Sequence, residues 1–447
     1  MAIFNDLNNK ILKLAIPNII SNISIPLIGM IDLAIIGHLD SAVYLGAIAI
    51  GGMIFNFIFW GLGFLRMGTS GFTAQAYGAR NLKESVAILT RAIVISFLLG
   101  IIIILLQKVI ANISFSLLEG SLEVEQWAKS YFFIRIYSAP ATLCMFAITG
   151  WFIGMQNSKT PMVLAIITNL LNLLFNLTFV YIFNYKSDGV AWGTVLAQYV
   201  GVLFTFLLLW RFYKKLWKYF ALKTALQWGK LLIFFKVNSN IFIRTFCIII
   251  VFSLFTARSA EKGDIILAVN TLLMQFFTFF SFLIDGFAYA AEAITGKAVG
   301  SKNKNGLLLS VKMLFRWGWA IALIFSLLYI FGGNLLISFF TDNPKILKEA
   351  SKYIVLISLI PLVSMASFLW DGVYIGATAS KSMRNVMLVA TVLVFLPVWY
   401  IWGNSMENSG LWLSFLLFLS ARSIIQSIAA KRAVFQHQNF TNKSFFL

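Results

Sequence analysis

Twelve long apolar segments restrict the folds open to this chain. Each reaches about 17–20 residues or more, enough for a helix to cross a hydrocarbon core of about 30 Å. Only 11% of the 447 residues are charged, whereas a soluble chain carries about 25%. We therefore predict an all-α integral membrane protein with twelve transmembrane helices. The segments lie at roughly 14–37, 43–71, 86–106, 129–155, 161–183, 189–210, 232–256, 265–294, 311–333, 353–377, 385–403 and 409–429.

Basic residues are distributed unevenly between the two sides of the predicted membrane. With the N-terminus inside, the inner segments hold 20 Lys and Arg residues and the outer segments hold 8. Because basic loops remain on the cytoplasmic side, both termini are predicted to be cytoplasmic. The same bias accounts for the net charge of +19 without a nucleic acid partner. The first apolar segment shows no cleavage site, so we do not interpret it as a signal peptide.

The two halves of the chain resemble each other at a constant spacing of 222 residues. Thr73–Asn81 pairs with Thr295–Asn303, and Gly150–Lys159 pairs with Gly372–Lys381. Each half contains six predicted helices, an even number, so both halves have the same orientation. This is a parallel internal repeat of two six-helix lobes, an arrangement typical of alternating-access transporters.

The repeat divides the chain into four predicted parts. Residues 1–210 form an N-lobe with helices 1–6, and residues 232–430 form a C-lobe with helices 7–12. Residues 211–231 form a basic cytoplasmic linker, and residues 431–447 form a cytoplasmic tail. Basic and aromatic residues alternate in the linker, which predicts an amphipathic helix on the inner leaflet.

Asp32 lies within the first apolar segment, where an ionisable group costs at least ~2.5–3.5 kcal/mol and usually has a partner or a function. Helix 5 carries Asn169, Asn172 and Asn176 on one face, and Thr194 lies near the start of helix 6. At 1.5 Å per residue, Asp32, Asn176 and Thr194 all lie about 7–11 Å below the outer boundary. We therefore predict a site in which Asn172, Asn176 and Thr194 surround Asp32.

Two chemistries are open to this site. One carboxylate with amide and hydroxyl oxygens can bind Na⁺. The carboxyl group can also exchange a proton, because apolar surroundings favour its neutral form. A structural alternative is that Asp32 stays neutral and hydrogen-bonds to asparagines that join the helices.

The second half carries its own polar residues within the predicted helices. Asp285, Glu292 and Asp371 lie toward the inner half of helices 8 and 10, and none has an acidic counterpart at the repeat spacing. Arg244 in helix 7 is their natural counter-ion. Two interpretations of these residues are open: an ion-pair cluster that closes the C-lobe, or a role in transport. No motif for a catalytic site, a bound metal or a cofactor is present, so an enzyme is not expected.

Several motifs resemble those of the multidrug and toxic compound extrusion (MATE) transporters. They are LAIPN at Leu14–Asn18 followed by Asp32, RMGTSGFTAQAYGARN at 66–81, NLLNLLFN at 169–176 followed by FVYIF, and DGVYIGATAS at 371–380. The resemblance spans essentially the whole chain and is greatest to the DinF-like branch. It implies a transporter that exports organic cations and other xenobiotics in exchange for H⁺ or Na⁺.

The resemblance also implies roles for individual residues of the first half. The family's helix-1 aspartate falls on Asp32, and its bent-helix proline falls on Pro17. Its helix-5 asparagine falls on Asn172, and its helix-6 threonine falls on Thr194. A second acid, found in archaeal members, falls on Asn176, which is an amide here. A site with two carboxylates is therefore not expected in the N-lobe.

In the second half, Asp371 matches an acid that other branches use in a C-lobe cation site. Those branches also have a helix-7 glutamate, whereas the helix-7 charge in this chain is Arg244. A C-lobe Na⁺ site is therefore not expected.

The leading hypothesis is an antiporter that exports cationic or amphipathic small molecules in exchange for H⁺, or alternatively Na⁺. Protonation would remove the attraction of Asp32 for a cationic substrate, and helix 1 would bend at Pro17 or Pro26. We expect a multi-pass protein of a prokaryotic inner membrane that functions as a monomer among lipids and has no cofactor. The alternative is a flippase of the same superfamily for a lipid-linked glycan, with a basic cleft formed by Arg66, Arg135 and Arg244. Such flippases usually have more than twelve helices.

Overall fold

The computed structural model describes the backbone of residues 2–37, 41–118 and 121–436. Within these ranges, the side chains at 2–5, 25, 27–28, 30–34, 36 and 403–405 lie outside the description. All regular structure in this part of the chain is helical, and it contains no strand. The prediction of an all-α fold is confirmed.

Twelve long helical segments account for most of the described chain. They are α1 Ala2–Gly37, α2 Ala42–Gly78, α3 Leu82–Leu105, α4 Leu122–Gly154, α5 Lys159–Ile182, α6 Ser187–Tyr219, α7 Trp228–Glu261, α8 Asp264–Gly300, α9 Lys304–Phe340, α10 Ile354–Gly376, α11 Ser380–Ser405 and α12 Glu407–Phe435. Shorter helices span Gln107–Leu117, Leu222–Ala225 and Pro344–Ser351. A turn at Leu62–Gly63 interrupts α2. Turns of 3₁₀ helix lie at Ile136–Ser138 and Lys214–Tyr219, and π-helical turns lie at Thr178–Ile182, Ala390–Phe395 and Lys431–Phe435.

Eleven helices of the described chain, α2 to α12, are long and apolar enough to cross a membrane. Helix α1 has 36 residues but is not among these eleven, so twelve spans and cytoplasmic termini stay predictions. Large apolar side chains on the helix surfaces are widely exposed; Leu105 is 75% exposed, and Phe331 and Phe339 are each 85% exposed. Such surfaces are suited to lipid rather than water, which is consistent with a multi-pass membrane protein.

The 222-residue repeat recurs in the backbone. Helices α2 and α8 begin and end at residues that are 222 positions apart. Helices α4 and α10 also end at equivalent residues, Gly154 and Gly376. Non-glycine residues adopt the left-handed conformation at equivalent turns, with φ of 56° at Arg80 and 55° at Lys302. The same helices pack together in both halves. In the first half, α4 packs against α2 and α3, and α5 packs against α6; in the second, α10 packs against α8 and α9, and α11 packs against α12. The predicted repeat is therefore a feature of the fold.

Two equivalent glycines explain the close packing of α2 on α4 and of α8 on α10. A Cβ atom at Gly150 would overlap the carbonyl oxygen of Arg66, and one at Gly372 would overlap the carbonyl oxygen of Ala288. Arg66 and Ala288 are themselves one repeat apart. Because the glycine Cα faces a backbone carbonyl directly, no side chain fits at either position.

The described chain divides into two compact units. One unit runs from Ile20 to Phe234, and the other combines residues up to Ile19 with the described residues from Phe235 onward. Each unit has its own aromatic core. In the first, Phe55 stacks on Phe132 with ring centroids 5.4 Å apart; in the second, Phe255 packs edge-on against Trp412 at 4.9 Å. The lobe boundaries at 210 and 232 stay predictions.

The linker does not form the single amphipathic helix predicted from its sequence. Its 3₁₀ turn ends at Tyr219, and the backbone is extended at Phe220 and Ala221 before the short helix Leu222–Ala225. Tertiary contact is the cause: Nε of Arg91 on α3 donates a hydrogen bond of 2.8 Å to the carbonyl oxygen of Ala225. The linker is therefore folded onto α3.

Candidate functional site

Three of the predicted site residues form one chain of hydrogen bonds between α5 and α6. Nδ2 of Asn176 donates to Oδ1 of Asn172 at 3.3 Å, and Nδ2 of Asn172 donates to Oγ1 of Thr194 at 3.1 Å. The Thr194 hydroxyl in turn donates to the carbonyl oxygen of Val190 at 2.9 Å. Asn172 and Asn176 are buried, and their spacing of four residues places them on one helix face. We name this chain the amide network.

Small residues on α6 allow α5 to approach closely enough for these bonds. Gly189, Gly193, Ala197 and Gly201 recur every four residues along one face of α6, a pattern that promotes helix association in membranes. A Cβ atom at Gly193 would overlap Oδ1 of Asn176. The glycine therefore makes room for the buried amide.

Helix α5 also contacts the second half of α1, the segment that carries Asp32. Nδ2 of Asn169 donates to Oγ of Ser24 at 3.0 Å, and the Tyr181 hydroxyl donates to the carbonyl oxygen of Ile35 at 3.3 Å. The two helices therefore run side by side in the same direction. Tyr181 lies in the π-helical turn that follows Asn176, and such turns are frequent at functional sites.

The backbone of residue 32 is helical, whereas the side chain of Asp32 lies outside the described residues. Its level along α1 follows from the neighbouring contacts. Residue 32 is eight residues, or about 12 Å, beyond Ser24, and Asn176 is seven residues, or about 10.5 Å, beyond Asn169. The backbone of residue 32 is therefore at the level of the amide network.

Both prolines assigned to the helix-1 bend lie inside α1. The helix continues through Pro17, which is buried, and through Pro26. A proline inside a helix removes one backbone hydrogen bond and clashes with the preceding turn, so both positions are points of weakness. The bend itself stays a prediction.

In the second half, Asp371 is the centre of a buried charge cluster. Its Oδ2 atom accepts from Nη2 of Arg244 and, at 2.9 Å, from Nη2 of Arg422; its Oδ1 atom accepts from Nε2 of Gln426 at 2.6 Å. Asp285 adds a favourable electrostatic interaction with Arg422. Glu292 lies seven residues beyond Asp285 on α8 and is 1% exposed. We name Arg244, Asp285, Asp371, Arg422 and Gln426 the C-lobe cluster.

Two members of this cluster were missing from the sequence prediction. Arg422 and Gln426 lie within the twelfth apolar segment and are four residues apart, so they share one face of α12. An arginine in the middle of a predicted membrane helix was the signal available, since such a charge needs a partner.

The flippase alternative assigns two arginines of the first half, Arg66 and Arg135, to a basic cleft. The guanidinium group of Arg135 lies 4.8 Å from the ring centre of Phe55 and 5.5 Å from that of Tyr131, and it donates to the Tyr131 hydroxyl. Cation–π contacts of this kind stabilise a desolvated arginine. Arg66 is 9% exposed. Within the described side chains, no group of three His, Cys, Asp or Glu residues is arranged to hold a metal ion.

Comparison with known proteins agrees with this architecture. A family model described as MatE matches residues 17–178 and again residues 241–401, once in each repeat. The chain is 35% identical over 440 residues to the DNA damage-inducible protein F of Escherichia coli K12, which covers 96% of this chain and 93% of that protein. It is 23% identical over 434 residues to the multidrug resistance protein NorM of Vibrio parahaemolyticus, which covers 94% of each.

A solved structure extends the likeness to the fold. The Vibrio cholerae MATE transporter VcmN, crystallised in what is called the bent form, superposes with a TM-score of 0.87 at 16% identity, covering 99% of this chain and all of that one. The family expected from the motifs is confirmed: this chain belongs to the MatE family of multidrug efflux transporters.

Proposed function

We propose that this protein is a proton-coupled exporter of organic cations whose coupling residue is Asp32. The amide network carries the proposal, because its two asparagines lie on α5. Helix α5 contacts α1 at Ser24, before residue 32, and at Ile35, after it. In this scheme Asn172, Asn176 and Thr194 would polarise the site, and Asp32 would gain and lose the proton.

The hydrogen bonds of the network favour H⁺ over Na⁺ as the coupling ion. Oδ1 of Asn172 already accepts from Asn176, and Oγ1 of Thr194 accepts from Asn172 while it donates to a backbone carbonyl. A sodium ion bound by Asp32, Asn172, Asn176 and Thr194 would have to share these oxygens with the N–H groups that already donate to them, through the one lone pair that each oxygen keeps. A proton on Asp32 makes no such demand on the network.

Coupling follows from the charge of Asp32. The ionised carboxylate attracts a cationic substrate, and protonation removes that attraction, so proton entry would promote substrate release. Direct competition is one route. In a second route, the change in charge shifts α1, which is hydrogen-bonded to α5 at Ser24 and Ile35 and is weakened at Pro17 and Pro26.

We assign the C-lobe cluster a structural role. Two arginines and two aspartates balance one another, and the buried Asp371 carboxylate is bonded through both oxygens. The pairing of Arg244 also argues against the flippase alternative, which needs that arginine as a free cation. We place the transporter as a monomer in a prokaryotic inner membrane, with both termini in the cytoplasm.

A drug-resistance assay in a sensitised host tests this proposal. We expect Asp32→Asn to reduce resistance to organic cations to the level of cells without the transporter, at equal abundance in the membrane by immunoblot. The matched control is Asp6→Asn, which makes the same change at an exposed aspartate of α1 paired with Lys10 and should leave resistance intact. Wild-type resistance in the Asp32→Asn cells would end the proposal.

A further inference from the structure

A cavity of about 270 Å³ lies where α3 begins and where α4 and α6 end. Leu89 and Ile93 line it from α3, Trp151 from the last turn of α4, and Trp217 and Phe220 from the linker. Its lining is almost entirely apolar. Trp151 and Trp217 belong to the last turns of two candidate spans, whereas Leu89 and Ile93 lie two to three turns inside a third. The cavity therefore extends from the boundary between hydrocarbon and water toward the hydrocarbon.

Two polar contacts with α3 hold the linker over this cavity. The side chain of Arg91 is 4% exposed and lies 3.7 Å from a carboxylate oxygen of Glu84, which also pairs with Lys230. Nε of Arg91 donates to the carbonyl oxygen of Ala225. The linker is therefore attached to α3 at two points, so the wall that it contributes to the cavity is a fixed part of the fold.

The linker segment that contributes to the cavity wall is strongly basic. The linker contains basic residues but no acid between positions 211 and 230. Several of them are exposed and lie within a few residues of Trp217 and Phe220 along the chain: Arg211, Lys214, Lys215, Lys218 and Lys223. The apolar cavity is therefore lined in part by a segment that carries exposed positive charge.

The internal repeat shows that the fold does not require this apolar lining. Thr90, Val94 and Leu209 line the cavity, and at the repeat spacing of 222 residues their equivalents are cationic, namely Lys312, Arg316 and Lys431. The second half therefore places positive charge where the first half has neutral side chains. The apolar lining is therefore not a consequence of the repeat.

We infer that this cavity binds one acyl chain of an anionic phospholipid, whose phosphate group is held by the cations of the linker. Apolar walls match the hydrocarbon chain, and basic residues at the end of membrane helices attract anionic head groups. The same cations disfavour the organic cations proposed as transport substrates. The lipid would fix the linker against α3 at the membrane surface.

Photo-crosslinking in lipid nanodiscs tests this inference with the full-length protein. The probe is phosphatidylglycerol with a diazirine near the end of one acyl chain, and labelled peptides are mapped by mass spectrometry. We expect labelling within residues 86–94 and 206–222, and much less with the matched phosphatidylcholine probe. Replacing Lys214 and Lys218 by glutamine should lower phosphatidylglycerol labelling about tenfold or more, because each lysine near an anionic surface contributes to the free energy of lipid binding.

Two further variants separate the specific site from general effects. Replacing the exposed Lys302 and Lys304 by glutamine removes the same charge from the second half and should leave labelling unchanged. Val94→Arg, which copies the residue at the equivalent repeat position, should abolish labelling of the cavity in a protein that remains monodisperse. Equal labelling by both lipids, labelling that survives loss of the two linker lysines or the Val94→Arg change, or displacement by an organic cation but not by unlabelled phosphatidylglycerol would each overturn the inference.

Discussion

Asn172 on α5 and Thr194 on α6 are joined by a hydrogen bond of 3.1 Å from the amide nitrogen to the hydroxyl oxygen. The hydroxyl donates its own hydrogen bond to the carbonyl oxygen of Val190, so the amide oxygen of Asn172 is left directed toward Asn176. One helix thus fixes the orientation of the amides on the other. The network can therefore be disturbed without changing Asp32.

Thr194→Val should weaken transport while the protein still folds. It removes the hydroxyl that accepts from Asn172 but keeps the branched shape of the side chain. A hydrogen bond between membrane helices contributes about 0.6 kcal/mol on average and at most about 1.7 kcal/mol, so we expect a modest decrease in thermal stability and a several-fold decrease in efflux. Thr194→Ser retains the hydroxyl and should retain efflux. Equal efflux in the valine and serine variants would show that the hydroxyl has no role.

Gly193→Ala should destabilise the first unit, because the new methyl group would overlap Oδ1 of Asn176. Overpacking of this kind costs about 1–3 kcal/mol. The matched control is Gly52→Ala, since a Cβ atom there meets nothing within 4 Å. Thermal unfolding of the purified variants measures both changes. A Gly193→Ala protein as stable as Gly52→Ala would mean that α5 and α6 are not closely packed at this level.

Asp371→Asn should be the most damaging single change in the C-lobe cluster. It leaves Arg244 and Arg422 buried without the carboxylate that they share, and breaking a buried pair in this way costs about 3–5 kcal/mol. Adding Arg422→Gln restores the balance of charge and should recover most of the stability and most of the efflux. If the double variant is stable but does not transport, the cluster acts in transport rather than in structure.

Glu84→Gln should loosen the attachment of the linker to α3. The change leaves Arg91 buried with only the carbonyl of Ala225 as a described hydrogen-bond partner, and it frees Lys230. We expect a lower unfolding temperature and faster proteolysis within the linker. Glu123→Gln makes the same change at an exposed glutamate in the first turn of α4 and should alter neither. Identical digestion of the two variants would contradict the role of Glu84.

Local sequence patterns predicted most of the fold. Length and hydrophobicity located the helices, and the 222-residue spacing predicted equivalent turns because glycines such as Gly150 and Gly372 face backbone atoms and cannot vary. The spacing of Asn172 and Asn176 also predicted the face of α5 that meets Thr194. These features depend on residues close together along one helix or on the repeat spacing of 222 residues.

Features set by distant contacts were missed. Arg422 was overlooked because its partner Asp371 is 51 residues away on another helix, and no local pattern connects them. The linker was wrongly predicted as one amphipathic helix because its course depends on Arg91 and Glu84 of α3. Helical periodicity carries no information about such attachments.

Transport in proteoliposomes with the pH and Na⁺ gradients imposed separately tests the central claim most directly. The measurement is the movement of a fluorescent organic cation by the wild type and by the Asp32→Asn variant. We predict that a pH gradient alone drives the cation against the proton flux, that a Na⁺ gradient alone does not, and that Asp32→Asn shows neither movement. Transport driven by Na⁺ at constant pH, or pH-driven transport at the wild-type rate in Asp32→Asn, would contradict the account.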